Sequence, residues 1–269
     1  MSSKKTQLNA VFGLPIDHSL SPVLHTQIYK DNNIDAALLA FACSDIARAM
    51  QAMRNLPIHL AAVTMPHKLA VMEHLDEIDD VAKKIKAVNT VINRNGKLYG
   101  YNTDIIGVAK SLETTEIKNK KVLLIGAGGA ARTVACYLQQ VGGIPLYLNR
   151  TKKDAQVLAD EFGGQVVDLE ELEAKEIDII VNATPVGMYP SIDKMPISEK
   201  YLFKHQIVMD IVYNPIRTKL LETATAKGAK IVSGLEMFVG QALGQVELWR
   251  EKEIKNNNYN KFLEKYLNK

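Results

Sequence analysis

Cysteine is scarce in this chain of 269 residues: there are two, Cys43 and Cys136. Each lies in an apolar run, LLAFACSDI and RTVACYLQQ, which reads as two buried thiols and not as a disulfide framework. No CxxC and no His/Cys pair has the spacing of zinc ligands, so no metal is expected. Long hydrophobic runs are missing as well. The opening MSSKKTQLNAVFG has no apolar core of the kind a signal peptide carries, and nothing approaches the run of about 20 apolar residues that crosses a membrane. Nor does one sign of charge dominate. Lys and Arg number 33 against 30 Asp and Glu, a formal net charge of +3, too small and too scattered for a nucleic-acid surface. These absences point to a cytoplasmic protein with no membrane and no nucleic-acid partner. A local basic cluster would then serve an anionic small molecule.

What is present is 47% hydrophobic residue and 23% charged residue, enough apolar mass for real cores. Short apolar runs alternate with amphipathic stretches, the pattern of an α/β fold with a largely parallel sheet. Strands are expected at Asn9–Phe12, Ala37–Phe41, His59–Thr64 and Ala87–Asn93, with helices at Pro22–Asn32, Asp45–Asn55 and Pro66–His74. A hairpin break is expected at Asn95-Gly96, then a helix from about Asp104 to Leu112. Near Lys118 the texture resets. The polar TTEIKNKK leads into VLLI, a continuous apolar run typical of a strand buried on both faces. Helices at Ala131–Val141, Lys153–Phe162 and Thr218–Lys227 follow, among strands at Pro145–Leu148, Ile177–Asn182, Ile207–Ile211 and Lys230–Val232: a doubly wound sheet. The segment Leu235–Lys269 reads as helical and holds the one tryptophan, Trp249. Two lobes with a cleft between them is the expected architecture, because such clefts bind small ligands.

The second half opens on a dinucleotide signal. Val122-Leu-Leu-Ile-Gly126-Ala127-Gly128-Gly129-Ala130-Ala131 reads strand, glycine turn, helix, in the form G-x-G-x-x-A. Gly126 would permit the tight turn, and Gly128 would let backbone approach a pyrophosphate at the positive end of the next helix. The plain alternative is a glycine turn without a ligand. NAD-binding folds often end the second strand on Asp or Glu, to hold the ribose 2′-hydroxyl. Here the sequence is Asn149-Arg150-Thr151-Lys152-Lys153, which would attract a 2′-phosphate, so NADP is expected over NAD. Lys152 and Lys153 also read as solvated residues at a helix start.

The first half places polar residues where strands end, the places a scaffold presents chemistry. Ser19 and Ser21, at i and i+2 before Pro22, form a pair that could grip a carboxylate; alternatively Ser21 caps the following helix. Lys68, in VTMPHK, would fall in the first turn of a helix, where the dipole disfavours a cation. It either points to solvent or serves developing negative charge. Asn89 interrupts an apolar strand and needs a partner. Asn102, Thr103 and Asp104 cluster at a helix start, where Thr103 or Asp104 could cap. Asp104 paired with Lys68 would make an acid/base couple suited to the proton transfer that accompanies hydride transfer.

Together these pieces resemble the shikimate dehydrogenase family. The matching segments, in order, are GLPIDHSLSP, VTMPHK, AVNT, GYNTDIIG, GAGGAAR, NRT, NATPVGM, DIVYNPIRT and GLEMFVGQA. The resemblance implies an N-terminal α/β substrate domain, residues 1–103 completed by C-terminal helices at 236–269, and a Rossmann-like NADP domain at 104–235. It implies reversible NADP-dependent reduction of 3-dehydroshikimate to shikimate, in the chorismate route to aromatic amino acids, by a monomer or homodimer. Lys68 and Asp104 would be the catalytic pair. Ser19 and Ser21 would bind the substrate carboxylate with Tyr213 near it, and Thr64, Lys68, Asn89, Asp104 and Gln241 would meet the ring hydroxyls. Gly126, Ala127, Gly128, Gly129 and Ala130 would hold pyrophosphate, and Asn149, Arg150 and Thr151 the 2′-phosphate and adenine. Thr184, Met188, Ile211 and Gly234 would line the nicotinamide side.

The sequence departs from the family pattern at Ala62, where Asn is common before VT, at Thr26 for Asn, at Lys86 for Gly, and at Asp154 for a basic residue. Two other readings stay open: a paralogue shifted to quinate or to NAD, and a non-catalytic dinucleotide-binding protein. The latter need not keep Lys68 and Asp104 together.

Overall fold

The computed structural model of the chain describes residues 6–17, 19–172 and 174–267; His18 of the serine-bearing loop lies outside them. The chain divides into two compact units. One runs up to Asp104 and includes Val239–Leu263; the other is Ile105–Phe238 with the chain from Glu264.

The first unit carries β1 (Gln7–Gly13), α1 (Ser21–Asp31), β2 (Ala36–Ala42), α2 (Ile46–Asn55) and β3 (Ile58–Val63), then β4 (Glu77–Ile78), α3 (Asp80–Ile85), β5 (Thr90–Arg94) and β6 (Lys97–Tyr101). Its sheet has the order β2-β1-β3-β5-β6-β4. β1 pairs parallel with both β2 and β3, whereas β5 pairs antiparallel with β3 and β6, so this sheet is mixed and not largely parallel as expected. The reason is the expected hairpin: Asn95 and Gly96 both take positive φ, 54° and 86°, and reverse the chain between the paired Arg94 and Lys97. Phe12, Met50, Met53, Val63, Val91 and Leu98 are among the side chains of one core cluster here.

The second unit begins with α4 (Asp104–Ser111), whose first residue still belongs to the first, and continues β7 (Lys121–Ile125), α5 (Gly129–Val141), β8 (Ile144–Leu148), α6 (Lys152–Phe162), β9 (Gln165–Val166), β10 (Ile179–Asn182), β11 (Ile207–Asp210), α7 (Lys219–Ala226) and β12 (Lys230–Ser233). The order β12-β11-β10-β7-β8-β9, parallel at every pairing, is a doubly wound sheet whose strand order reverses between β7 and β10. The last four residues of β7, Val122 to Ile125, are all buried, as a strand covered on both faces requires.

Two expectations are corrected. Pro66–His74 is not an α-helix: residues 65–69 form turns, and only Ala70–His74 winds, as a 3₁₀ helix. The carbonyl of Lys68 accepts from Val88 N at 2.8 Å, a contact outside the helical ladder that ties this loop to the start of β5. The expected strand Ala87–Asn93 begins only at Thr90, leaving Asn89 at its entry. The C-terminal segment is two helices, α8 (Gly234–Arg250) and α9 (Tyr259–Leu267), divided by a stretch that opens with Glu251 and closes with Asn258, both at positive φ. Among the described residues no helix is long and apolar enough to cross a membrane.

Candidate active site

Lys68 and Asp104 meet. Lys68 Nζ donates to Asp104 Oδ2 at 2.5 Å, with side chains 17% and 6% exposed. Because Lys68 sits in a turn and not in a helix, no helix dipole acts against its charge, and that sequence argument falls away. Asp104 is the first residue of α4, where a carboxylate is favoured.

Asn89 fixes the carboxylate from the other side. Its Oδ1 accepts from Thr103 N at 2.7 Å. A backbone N–H can only donate, so the amide must turn its oxygen there, and its NH₂ is left facing Asp104. Nδ2 donates to Asp104 Oδ1 at 2.8 Å and to Thr103 Oγ1 at 3.1 Å. Thr90 Oγ1 donates to Asn89 Oδ1 at 2.8 Å, and Asn102 Oδ1 accepts from Asp104 N at 3.1 Å. All of these residues are buried. Thr103 and Asn102 therefore serve as struts for the carboxylate. Asp104 is left with one oxygen on Asn89 and the other on an ammonium that keeps partial access to water.

The other expected residues of this unit divide by exposure. Ser21 and Gln241 are buried, Ser19 and Thr64 half-buried. Ser21 does not cap α1 as the plain alternative had it: the helix starts at Ser21 itself, and its N–H donates to Ser19 Oγ at 3.3 Å. Thr64 N donates to Phe12 O at 2.9 Å and Leu14 N to Met65 O at 3.0 Å, so the serine-bearing loop and the Lys68 loop leave the sheet side by side. One pair escaped the sequence reading. His25, fully buried, meets Ser21 O with Nδ1 at 2.9 Å and Gln245 Oε1 with Nε2 at 3.1 Å. Burial lowers its pKa to about 4, against smaller opposing effects of these two bonds. Gln241 and Gln245 lie one turn apart on α8, both buried, and two amides at that spacing on a buried helix face were the available signal.

In the second unit the glycine turn lies at the end of β7, beside the point where strand order reverses. Gly126 has φ +110°, and a Cβ there would sit 3.0 Å from the Thr184 methyl and 3.1 Å from Ala183 O. A Cβ on Gly128 would meet nothing within 4 Å. The turn is thus closed against β10 and open in front, with Gly129 and Ala130 beginning α5. At the end of β8, Asn149 Nδ2 donates to Thr151 O at 3.0 Å. Arg150 and Thr151 are exposed, and Lys152 pairs with Asp168 at 2.5 Å. Asp154 is exposed in the first turn of α6. Thr184 and Met188 follow β10, Ile211 follows β11 and Gly234 opens α8. Tyr213 stacks on Phe238, ring centroids 4.2 Å apart; it belongs to this unit and not to that of the serines. The sequence reading also passed over Asn182 and Asp210, polar residues that end two neighbouring apolar strands and bond at 2.9 Å. Their position at the carboxyl ends of parallel strands was the missed signal.

Comparison with known proteins follows the same division. A family profile described as shikimate dehydrogenase substrate binding domain matches residues 11–91, and one described as shikimate / quinate 5-dehydrogenase matches residues 108–214. Among curated relatives, the shikimate dehydrogenase (NADP(+)) of Bacillus cereus (strain AH187) is 42% identical over 255 residues, 90% of this chain and 92% of that protein. That of Geobacillus sp. (strain WCH70) is 43% identical over the same shares. The crystal structure of shikimate 5-dehydrogenase from Thermus thermophilus in complex with NADP(H) and shikimate is 33% identical with a TM-score of 0.87, over 94% of this chain and 97% of that one. With two family profiles matched in order and identity above 40% over nine-tenths of its length, the chain belongs to the shikimate dehydrogenase family.

Proposed function

We propose that the chain is an NADP-dependent shikimate dehydrogenase that interconverts 3-dehydroshikimate and shikimate. Beyond family membership, one observation carries this: an ammonium 2.5 Å from a buried carboxylate whose other oxygen is held by an amide. A protein that only bound a dinucleotide would have no use for that arrangement.

The residues at the glycine turn suit the cofactor. The space in front of Gly128 is open, and the edge beyond β8 offers Arg150 and a threonine with no carboxylate at its tip. The chemistry a reduced dinucleotide would supply there is a hydride for the substrate carbonyl carbon. The carbonyl oxygen then needs a proton, and Lys68 Nζ gives it; in the reverse direction the same nitrogen takes the hydroxyl proton back. Asp104 steadies the ammonium and orients the substrate hydroxyl, and Asn89 keeps Asp104 in place. Ser19 and Ser21 hold the carboxylate with Tyr213 near it, and Thr64 and Gln241 complete the hydroxyl contacts. Gly126 to Ala130 would receive pyrophosphate, Asn149, Arg150 and Thr151 the 2′-phosphate and adenine, and Thr184, Met188, Ile211 and Gly234 the nicotinamide.

On this reading residues 1–103 with 236–269 form the substrate domain and 104–235 the cofactor domain. We place the protein in the cytoplasm, as a monomer or homodimer acting on small molecules without nucleic acid; both cysteines are buried, in keeping with a reducing compartment. The test is turnover of purified protein with shikimate or quinate against NADP or NAD, four pairs in all. Shikimate with NADP should be fastest. Absence of turnover with every pair overturns the proposal, and preference for quinate or NAD redirects it.

A further inference from the structure

One buried carboxylate holds no place in the mechanism above, yet the stretches that begin after β10 and β11 are fastened to it, directly or through Asn182. Asp210 ends β11 and is fully buried. Its Oδ1 accepts from Asn182 Nδ2 at 2.9 Å and from Val212 N at 3.0 Å; its Oδ2 accepts from Thr218 Oγ1 at 2.6 Å. Asn182 stands directly across from it, the last residue of β10, in register with Asp210. Asn182 Oδ1 in turn accepts from Thr184 N at 3.0 Å and Thr184 Oγ1 at 2.7 Å, and Thr184 Oγ1 accepts from Val186 N at 3.2 Å. Thr218 Oγ1 accepts from Leu221 N at 3.3 Å and so caps α7 while donating to Asp210. Gly234, the first residue of α8, lies on the same spot. A Cβ there would fall 2.3 Å from Ile211 O and 2.7 Å from Asp210 O, so only glycine lets α8 start against the end of β11.

Val212 N and Asn182 Nδ2 can only donate, so Asp210 Oδ1 is held as an acceptor, while Oδ2 meets the Thr218 hydroxyl. Three donors converge on two oxygens, and none of the three is a cation. A buried charge with no counter-ion is costly. Burial accordingly pushes the Asp210 carboxyl up to about 6. A staple of two strands needs no such charge, since an apolar pair would hold them as well. The group sits at the carboxyl ends of neighbouring parallel strands, where doubly wound sheets present ligands. What it fastens is the stretch after β10 that carries Thr184 and Met188 and the stretch after β11 that opens with Ile211.

We propose that Asp210 is a positioning residue for the cofactor, holding the two stretches after β10 and β11 in the geometry that receives the nicotinamide end. This rests on the cofactor assignment made above. It predicts that weakening the node damages dinucleotide binding more than substrate binding, which the stretch after β11 touches only through Tyr213. The test is Asp210→Asn, with Thr218→Val as a milder second variant that nearly keeps volume and removes one donor to Asp210 together with the α7 cap. For each, the Kd for NADP is measured by titration without substrate, alongside KM for NADP, KM for shikimate and the thermal midpoint. Loss of a hydrogen bond to a charged group should raise Kd and KM for NADP about tenfold in Asp210→Asn, and less in Thr218→Val, with a clearly smaller rise in KM for shikimate. A lowered melting point with unchanged affinity for NADP would make Asp210 a structural staple only and overturn the proposal, as would an equal rise in both KM values. If Asp210→Asn does not fold, the same criteria apply to Thr218→Val. The titration reads the node even where turnover fails, so a protein that binds NADP through Asp210 but does not oxidise shikimate would refute the activity and not this inference.

Discussion

Lys68 meets Asp104 and Lys152 meets Asp168 at the same 2.5 Å, yet the first pair has side chains 17% and 6% exposed and the second 68% and 44%. Equal distance does not mean equal consequence. Charges partly withdrawn from water interact several times more strongly than charges in it, and removing one partner strands the other. The buried pair in the first unit is also braced by Asn89, Thr103 and Asn102, so its geometry exists before any ligand arrives. The basic edge after β8 in the second unit lies in water, its charges exposed. Proton chemistry needs the first arrangement, while discrimination between cofactors tolerates the second.

The comparison breaks most visibly at Lys68. Lys68→Ala should lower kcat for shikimate oxidation by about 10²–10⁴-fold, the usual range for a lost acid/base group, while KM for shikimate changes little. Steady-state rates check it; wild-type kcat would remove Lys68 from the chemistry. On the exposed edge, Arg150→Ala should raise KM for NADP by roughly tenfold or more and leave KM for NAD unchanged, because only the 2′-phosphate uses the guanidinium. Equal losses for both cofactors would mean that Arg150 does not read that phosphate.

A subtler contrast lies in acid. His25, in the first unit, has its pKa lowered to about 4, so the folded unit resists protonation and loses stability as pH falls from about 6.5 towards 4. Asp210, in the second, is raised to about 6 and binds its proton more tightly folded than unfolded. Its contribution is full below about 4 and is lost as pH rises towards 6. Hydrogen exchange resolved by segment should therefore show protection around α1 falling, and protection around β11 rising, as pH drops through this window. Parallel changes in both would contradict the assignment. The smallest effect belongs to Lys152→Ala, which should shift unfolding free energy by about 1 kcal/mol or less, measured by denaturant titration, since its ion pair with Asp168 lies in water.

Much of this was legible in the sequence wherever local chemistry decides the structure. VLLI followed by G-x-G-x-x-A gave β7, its turn and α5, and Asn95-Gly96 gave the hairpin, because an apolar run and a positive φ are local demands. The loop of Lys68 was misread as helix because a distant group, Val88 N, claims its carbonyl. α3, β4 and β9 went unseen, two of them strands of only two residues whose existence depends on a neighbour's edge. Lys68 and Asp104 could be paired by chemical reasoning, but the role of Asn89 as the brace between Thr103 and Asp104 could not, since it depends on which way one amide turns. His25, Asn182 and Asp210 were hidden for the same reason: each gains meaning only from partners on other elements.

The account rests on Lys68 and Asp104 acting as one device, and a double-mutant cycle on kcat tests that most directly. Lys68→Ala, Asp104→Asn and the double variant are compared with the unaltered protein under saturating shikimate and NADP. If the two groups work only together, the double variant will be about as slow as the slower single one. If the two losses multiply, the residues act independently and the proposal that Asp104 steadies Lys68 for its proton transfer is wrong.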